Sequence, residues 1–341
     1  MRIALLMLLA VATYADADSL VDGNNYTFKF ATLAPIGSAW MNIMEEWAEQ
    51  VKTASNGRLT FKFYPGGVQG DEPDVLKKMR FGQLQGSAFT GHGIGEIYSP
   101  ARVLEMPFLF REYGEIDYVR GQFMPEIEQG FRDNDYELLG WFEVGFVHFF
   151  SQYPINSLDD LKKRRIWLWQ DDRLIEAMFK ASKLAPVPLS ITDVFTSLST
   201  GLIDTVPCTP LAAIGLQWFT KTEYITKVPM SNAISALVAT KQFYAKLPPD
   251  LQRLLKETGR ATGDRLIQVT RQDNDRSLEV LEQKGLKFVF GEENVDLNEL
   301  ITIRDAAAAE LARDGYIPKE VFERTRSLLE DYRSKQVVKA R

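Results

Sequence analysis

Hydrophobic positions along this chain repeat with two alternating periods. Residues Tyr26–Thr32 (YTFKFAT) alternate apolar with polar or small side chains, the period-two pattern of a half-buried strand. From Ser38 the period lengthens. Trp40, Ile43, Met44, Trp47 and Val51 recur at helical spacing, with Ser38 as N-cap and Asn56-Gly57 as the stop. Leu59, Phe61 and Phe63, set against Thr60, Lys62 and Tyr64, return to a strand, and DEPDVLKKMRFGQLQGSAFT reads as a helix running into a buried strand. After about residue 145 the alternation begins again. GFVHFFS is a strand, SLDDLKKR a short capped turn, RIWLWQ a strand, DDRLIEAMFKASK and TDVFTSLSTG helices, and LIDTVPCTP a strand ending on Pro207. Strand and helix in turn predict an α/β fold with a mainly parallel sheet, here as two units in tandem.

The segment from Asp250 to Lys284 follows Leu-Pro-Pro and contains no proline. Leu251, Leu254, Leu255, Leu266, Ile267, Leu278 and Leu281 give it a loose apolar stripe. An unbroken helix of that length spans roughly 50 Å, long enough to brace two lobes. Gly259 and Gly263 are the places where it would kink or break.

At 341 residues, 45% hydrophobic and 25% charged, the chain has room for two globular lobes. A net charge of -6 argues against nucleic acid as a partner, and the short basic run Lys162–Arg165 has acids on both sides. Residues 1–17 (MRIALLMLLAVATYADA) carry Arg2, an apolar run from Ile3, and Ala15 and Ala17 in small-x-small order. This predicts a signal peptide cleaved after Ala17. The run is too short to span a membrane, and no later stretch is long enough, so the mature chain is expected not to be membrane-inserted. No cysteine follows the cleavage point, which excludes a lipoprotein, and the single Cys208 cannot form an internal disulfide. A bacterial periplasm suits these features.

The residues for catalysis are sparse. Two histidines, His92 and His148, and one cysteine fall short of the usual zinc or iron ligand sets, and HExxH, CxxC and GxSxG are absent. GHGIG (Gly91–Gly95) lacks GxGxxG spacing and a phosphate-loop lysine. Cys208 with His148 is the one nucleophile pair available to an enzyme. No cofactor or metal is expected. The most distinctive stretch is RRIWLWQDD, where Trp167 and Trp169, two of only six tryptophans, share one face of a short strand. Two lobes that present strand ends and aromatic rings to a crevice have the profile of a hinge-closing small-molecule binder.

Three segments carry a family resemblance: NGRLTFKFYPGGVQGDEPDVLKKMRFGQLQG, PINSLDDLKKRRIWLW and PVPLSITDVFTSLSTGLIDTVPCTP. In this order they resemble hallmark motifs of the DctP-like solute-binding subunits of TRAP transporters, over about residues 26–330. The resemblance implies a two-lobed periplasmic-binding-protein fold with hinge strands and a long helix spanning both lobes. It implies a first lobe of residues 24–144 plus about 233–272, and a second of 145–232 plus about 273–335. It also implies a periplasmic receptor that delivers a small-molecule ligand to the membrane permease subunits of the transporter.

The family's binding residues do not all carry over. The arginine that grips a substrate carboxylate aligns with Trp167, a second arginine with Val147, and an asparagine falls near Cys208. A carboxylate buried without a cation costs several kcal/mol, whereas a tryptophan ring buries ~200 Å² at ~25 cal/mol/Å². The expected ligand is therefore larger, less charged and more hydrophobic than a simple acid, with a cation or sugar face stacked on tryptophan as the alternative. The expected ligand-binding residues are Trp167, Val147, Cys208, Trp169, His92, Trp40, Trp218, Thr209 and Leu189. Two rival readings stay open, a secreted enzyme using Cys208 or His92 and a receptor uncoupled from transport.

Overall fold

The computed structural model describes residues 25–291, 293 and 296–339. The expected signal peptide lies outside the described residues. The first half follows the predicted alternation: β1 (Tyr26–Thr32), α1 (Ala39–Ala54), β2 (Leu59–Tyr64), α2 (Glu72–Arg80), β3 (Gly86–Thr90) and α3 (Gly91–Tyr98). β1 pairs in parallel with both β2 and β3. Ser38 caps α1 by accepting the Met41 N–H at 3.2 Å, and Met41, Met44 and Trp47 on its inner face pack with Phe28 and Phe30 of β1. A 3-10 segment, Ser99–Glu105, then leads to α4 (Tyr113–Asp133).

β4 (Tyr136–Ser151) crosses from the first lobe to the second. The second lobe is built from α5 (Leu158–Leu161), β5 (Trp167–Trp169), α6 (Arg173–Ala181), β6 (Val187–Leu189), α7 (Val194–Thr200), β7 (Thr205–Cys208), α8 (Pro210–Gly215) and β8 (Tyr224–Thr226). β9 (Ser231–Thr240) returns to the first lobe and is followed by α9 (Lys241–Lys246), α10 (Pro249–Gln283), β10 (Lys287–Val289), α11 (Leu297–Arg313) and α12 (Lys319–Lys339). The main sheet runs β2-β1-β3-β9-β4-β8-β10, with β7 also on β4, and β5 and β6 form a separate parallel pair. The sheet is mixed rather than mainly parallel. β9 enters antiparallel between β3 and β4, because it carries the chain back along the crossing strand.

α10 is one continuous helix of 35 residues. Gly259 and Gly263 do not break it. A Cβ on Gly263 would stand 2.6 Å from the Trp141 carbonyl oxygen, and one on Gly259 2.8 Å from that of Leu139. The two glycines let the helix backbone press against β4, so the brace lies flat on the crossing strand. Residues 319–335, expected with the second lobe, belong to α12, which packs against α4. α12 is tied to α4 by Arg333 to Glu115 at 2.6 Å and by Arg324 to Glu126. α11 instead bonds to α6 of the second lobe, through Lys180 and Glu310 at 2.7 Å.

Candidate functional site

The carboxyl ends of β1 and β3 face those of β5 and β7 across a cavity of about 210 Å³. This is the crevice position favoured for ligands in open α/β sheets. The crossing strands β4 and β9 supply its floor with Phe142, Val144, Val147, Ser231, Ala233 and Ser235. Leu33, Pro35, Trp40 and Gly91–His92 come from the first lobe, and Trp167, Trp169, Pro207–Thr209 and Trp218 from the second. Eight of the nine expected residues therefore meet in one place: Trp167, Val147, Cys208, Trp169, His92, Trp40, Trp218 and Thr209. Leu189 is not in the wall. It pairs with Trp169 in the β5–β6 sheet, and its carbonyl accepts the Trp167 indole N–H at 3.0 Å.

Three of the tryptophans, Trp167, Trp169 and Trp218, form a continuous aromatic surface with His92. Trp167 meets Trp218 edge-on, with centroids 5.2 Å apart at 78°, and leans on Trp169 at 5.7 Å. Trp169 stacks on His92 across the cleft at 5.1 Å and 18°. Trp169 also donates its indole N–H to Asp71, and Trp40 donates to Thr270 at 2.9 Å. Three of the four indoles in the wall thus spend their N–H groups on the protein and offer the cavity ring surface. Trp218 has no indole hydrogen bond among the described residues. Thr209 caps α8, its hydroxyl oxygen accepting the Ala212 N–H at 3.3 Å.

Charged side chains also reach this wall, and the sequence reading did not anticipate them. Arg102, on the 3-10 segment, donates from Nη2 to both carboxylate oxygens of Asp172, at 3.1 and 3.0 Å, across the cleft. It also pairs with Glu105 three residues on. All three are buried. Burial works against the charge of Arg102, but Asp172 and Glu105 outweigh it and hold its pKa above the ordinary value. Burial likewise opposes the ionised form of Asp172, yet Arg102 keeps its pKa below the usual carboxylate range. Burial raises Glu105 to about 7 despite Arg102, and raises Glu72 to about 8 despite N–H donors from Thr90 and Gly93. Burial also lowers the pKa of His92, only partly offset by Asp172. In sequence, the one trace of this cluster is R-V-L-E within an apolar run, an arginine and a glutamate set three apart.

The enzyme reading finds no activated nucleophile here. His148 stands directly opposite Cys208 in the β4–β7 register, but its Nδ1 is bound to the Thr226 carbonyl at 2.7 Å. Burial lowers its pKa to about 4 and raises that of the Cys208 thiol, the opposite of what a thiolate–imidazolium pair needs. Among the described residues no group of three or more His, Cys, Asp or Glu side chains could hold a metal ion, and no helix is long and apolar enough to cross a membrane.

Comparison with known proteins places this geometry in company. The family model DctP, bacterial extracellular solute-binding protein, family 7, matches residues 30–309. The chain is 25% identical over 289 residues to the ectoine/5-hydroxyectoine-binding periplasmic protein UehA of Ruegeria pomeroyi, covering 81% of this chain and 80% of that one. Among solved structures, a TRAP periplasmic solute binding protein from Pseudomonas putida F1 with bound D-glucuronate superposes with a TM-score of 0.77 at 24% identity, covering 88% of this chain and 96% of that one. A second, from Desulfovibrio salexigens with bound orotic acid, gives 0.82 at 17% identity, covering 90% and 99%.

Proposed function

Because the chain belongs to family 7 of the bacterial extracellular solute-binding proteins, we propose that it is the periplasmic receptor of a TRAP-type transporter, closing two lobes on one small solute and passing it to membrane permease subunits. The observation that carries this reading is the cavity itself, walled from both lobes and floored by the strands that join them. Aromatic rings make up much of its surface, which supports a solute held chiefly by ring contact and apolar burial. The relatives' bound acids, D-glucuronate and orotic acid, belong to those proteins. Here the wall's one arginine is already occupied by Asp172 and Glu105.

In this reading residues 1–17 direct export and are removed. The lobes are residues 24–144 with about 233–272, and 145–232 with about 273–335, α12 being tied to α4 by Arg333–Glu115 and Arg324–Glu126. The protein performs no chemistry on the solute. The test is uptake. The solute recovered from the purified protein should enter wild-type cells, and cells lacking this chain should lose that uptake while keeping their other transport. Unchanged uptake in the deletion strain would refute the transport role and leave a receptor of another kind.

A further inference from the structure

The buried polar groups around the cavity differ in how fully they are engaged. Glu72 accepts N–H bonds from Thr90 and Gly93, both at 2.7 Å, and the Thr90 hydroxyl at 3.1 Å. Glu105 accepts the Ile234 N–H at 2.8 Å and sits against Arg102. Asp172 caps α6 by accepting the Leu174 and Ile175 N–H groups, and accepts Arg102 Nη2 at both carboxylate oxygens. The remaining Nη1 of Arg102 points to the Tyr316 hydroxyl at 3.4 Å. Two groups stand apart, the Trp218 indole N–H and the His92 imidazole, and His92 is the one with two unengaged ring nitrogens. It is 4% exposed, lines the cavity, and among the described residues neither ring nitrogen has a hydrogen-bond partner. A buried polar group without a partner is costly and calls for an explanation, and beside a binding cavity a ligand group is one that supplies the missing partner.

The tautomer follows from the neighbours. Nδ1 is the nitrogen nearer Asp172, 4.0 Å from Oδ2 and beyond hydrogen-bond reach, so the carboxylate's field favours the proton on that side and leaves Nε2 as the acceptor. Asp172, Glu105 and Glu72 surround the site with one arginine between them, and the aromatic faces add negative potential. A carboxylate placed there would find no free cation among the described residues: the wall's arginine is paired with the ionised Asp172 and with Glu105, while the buried Glu72 keeps its proton at neutral pH.

We infer that the solute bears no negative charge and donates an N–H or O–H to Nε2 of His92, with its apolar body against Trp167, Trp169 and Trp218. This rests on the receptor reading of the same cavity. It sets this site apart from relatives solved with D-glucuronate or orotic acid.

The test is a matched series of probes on the full mature chain, emptied by unfolding and refolding. Benzylamine, benzyl alcohol and benzoate share a ring and differ in charge, and D-glucuronate serves as the acidic reference. Each is titrated against tryptophan fluorescence, and the solute released from freshly purified protein is identified by mass. The expected result is that benzylamine and benzyl alcohol bind at least tenfold more tightly than benzoate, and that the released solute has no acidic group. His92→Phe keeps a ring on Trp169 but removes the acceptor, and should weaken the released solute at least tenfold; His92→Gln is the second variant if that one does not fold. A released carboxylate, tight D-glucuronate binding, or benzoate matching benzyl alcohol overturns the inference and leaves the receptor reading standing. So does a His92→Phe protein with wild-type affinity. If nothing is released and no probe of any charge binds, the receptor reading falls, and the inference with it.

Discussion

Trp169 of the second lobe donates its indole N–H to Asp71 of the first, 3.1 and 3.0 Å from the two carboxylate oxygens. The same carboxylate accepts the Ser190 hydroxyl at 2.6 Å and the Ile191 N–H at 3.1 Å from the second lobe, while capping α2 through the Glu72 N–H at 2.7 Å. One side chain at a helix N-terminus, where negative charge is favoured, thus gathers three donors from the opposite lobe beside the aromatic wall.

Removing that hub should loosen the closed form. Hydrogen bonds to a charged group contribute about 1.5–3 kcal/mol each, less where water replaces them. Asp71→Ala is expected to weaken solute binding at least tenfold and to enlarge the radius of gyration in small-angle scattering. Wild-type affinity and scattering together would show that closure is held elsewhere.

The Arg102–Asp172 pair joins the lobes from within the cavity wall. Breaking one member leaves a buried charge uncompensated, at about 3–5 kcal/mol. Arg102→Met and Asp172→Asn should each lower stability by that order in urea unfolding. The double variant should cost less than the sum by at least about 1 kcal/mol. Additive losses would mean that the two do not act as a pair.

The two glycines of α10 predict an effect opposite to helix propensity. Alanine ordinarily gains about 1 kcal/mol over glycine inside a helix. At Gly263 the new Cβ would meet the Trp141 carbonyl oxygen at 2.6 Å, a backbone atom that cannot turn aside, and overpacking of this kind costs about 1–3 kcal/mol. Gly121, on the exposed side of α4, has nothing within 4 Å of such a Cβ. Thermal melts should show Gly263→Ala lowered and Gly121→Ala raised relative to wild type. A raised melting temperature for Gly263→Ala would contradict the close approach of α10 to β4.

Acid should destabilise the fold partly through His148. Burial lowers this imidazole from 6.5 to about 4. Between those values the unfolded chain binds a proton that the native chain refuses, so stability falls as pH drops from about 6.5 to about 4, by up to about 3 kcal/mol. Glu72 works in the other direction. Its native carboxyl keeps its proton to about pH 8 while the unfolded one ionises near 4.5, so its contribution falls as pH rises across that range. Replacing His148 by Asn keeps a donor for the Thr226 carbonyl and should flatten the slope between about pH 4 and 6.5, as read by urea unfolding at each pH. An unchanged slope would place the acid sensitivity elsewhere.

The parts of the fold that the sequence made legible are those with a clear period. β1, α1 and β2 carry a strict alternation or a helical stripe, and their bounds match to within a residue or two. β9, SNAISALVAT, is buried along nearly its whole length. It shows no alternation to mark it, so the antiparallel return that makes the sheet mixed was not visible. At the site the tryptophans were legible because two large rings on one short strand are hard to explain as core. Arg102, Glu105 and Asp172 were not. Asp172 lies 70 residues from Arg102, and an isolated charge in sequence reads as solvated until the fold shows it buried. Leu189 lies one layer behind the wall and meets it through its backbone carbonyl, a role that side-chain type in the sequence does not announce.

The central claim is that the cavity between the lobes holds one solute unchanged. The most direct measurement is native mass spectrometry of the full mature chain with its recovered solute, wild type beside Trp167→Ala, followed by mass analysis of the solute after prolonged incubation. The account predicts one solute per chain, returned with its mass intact, and binding weakened at least thirtyfold when the Trp167 ring is removed. A solute chemically altered during incubation, or a Trp167→Ala protein that binds as wild type, would contradict it.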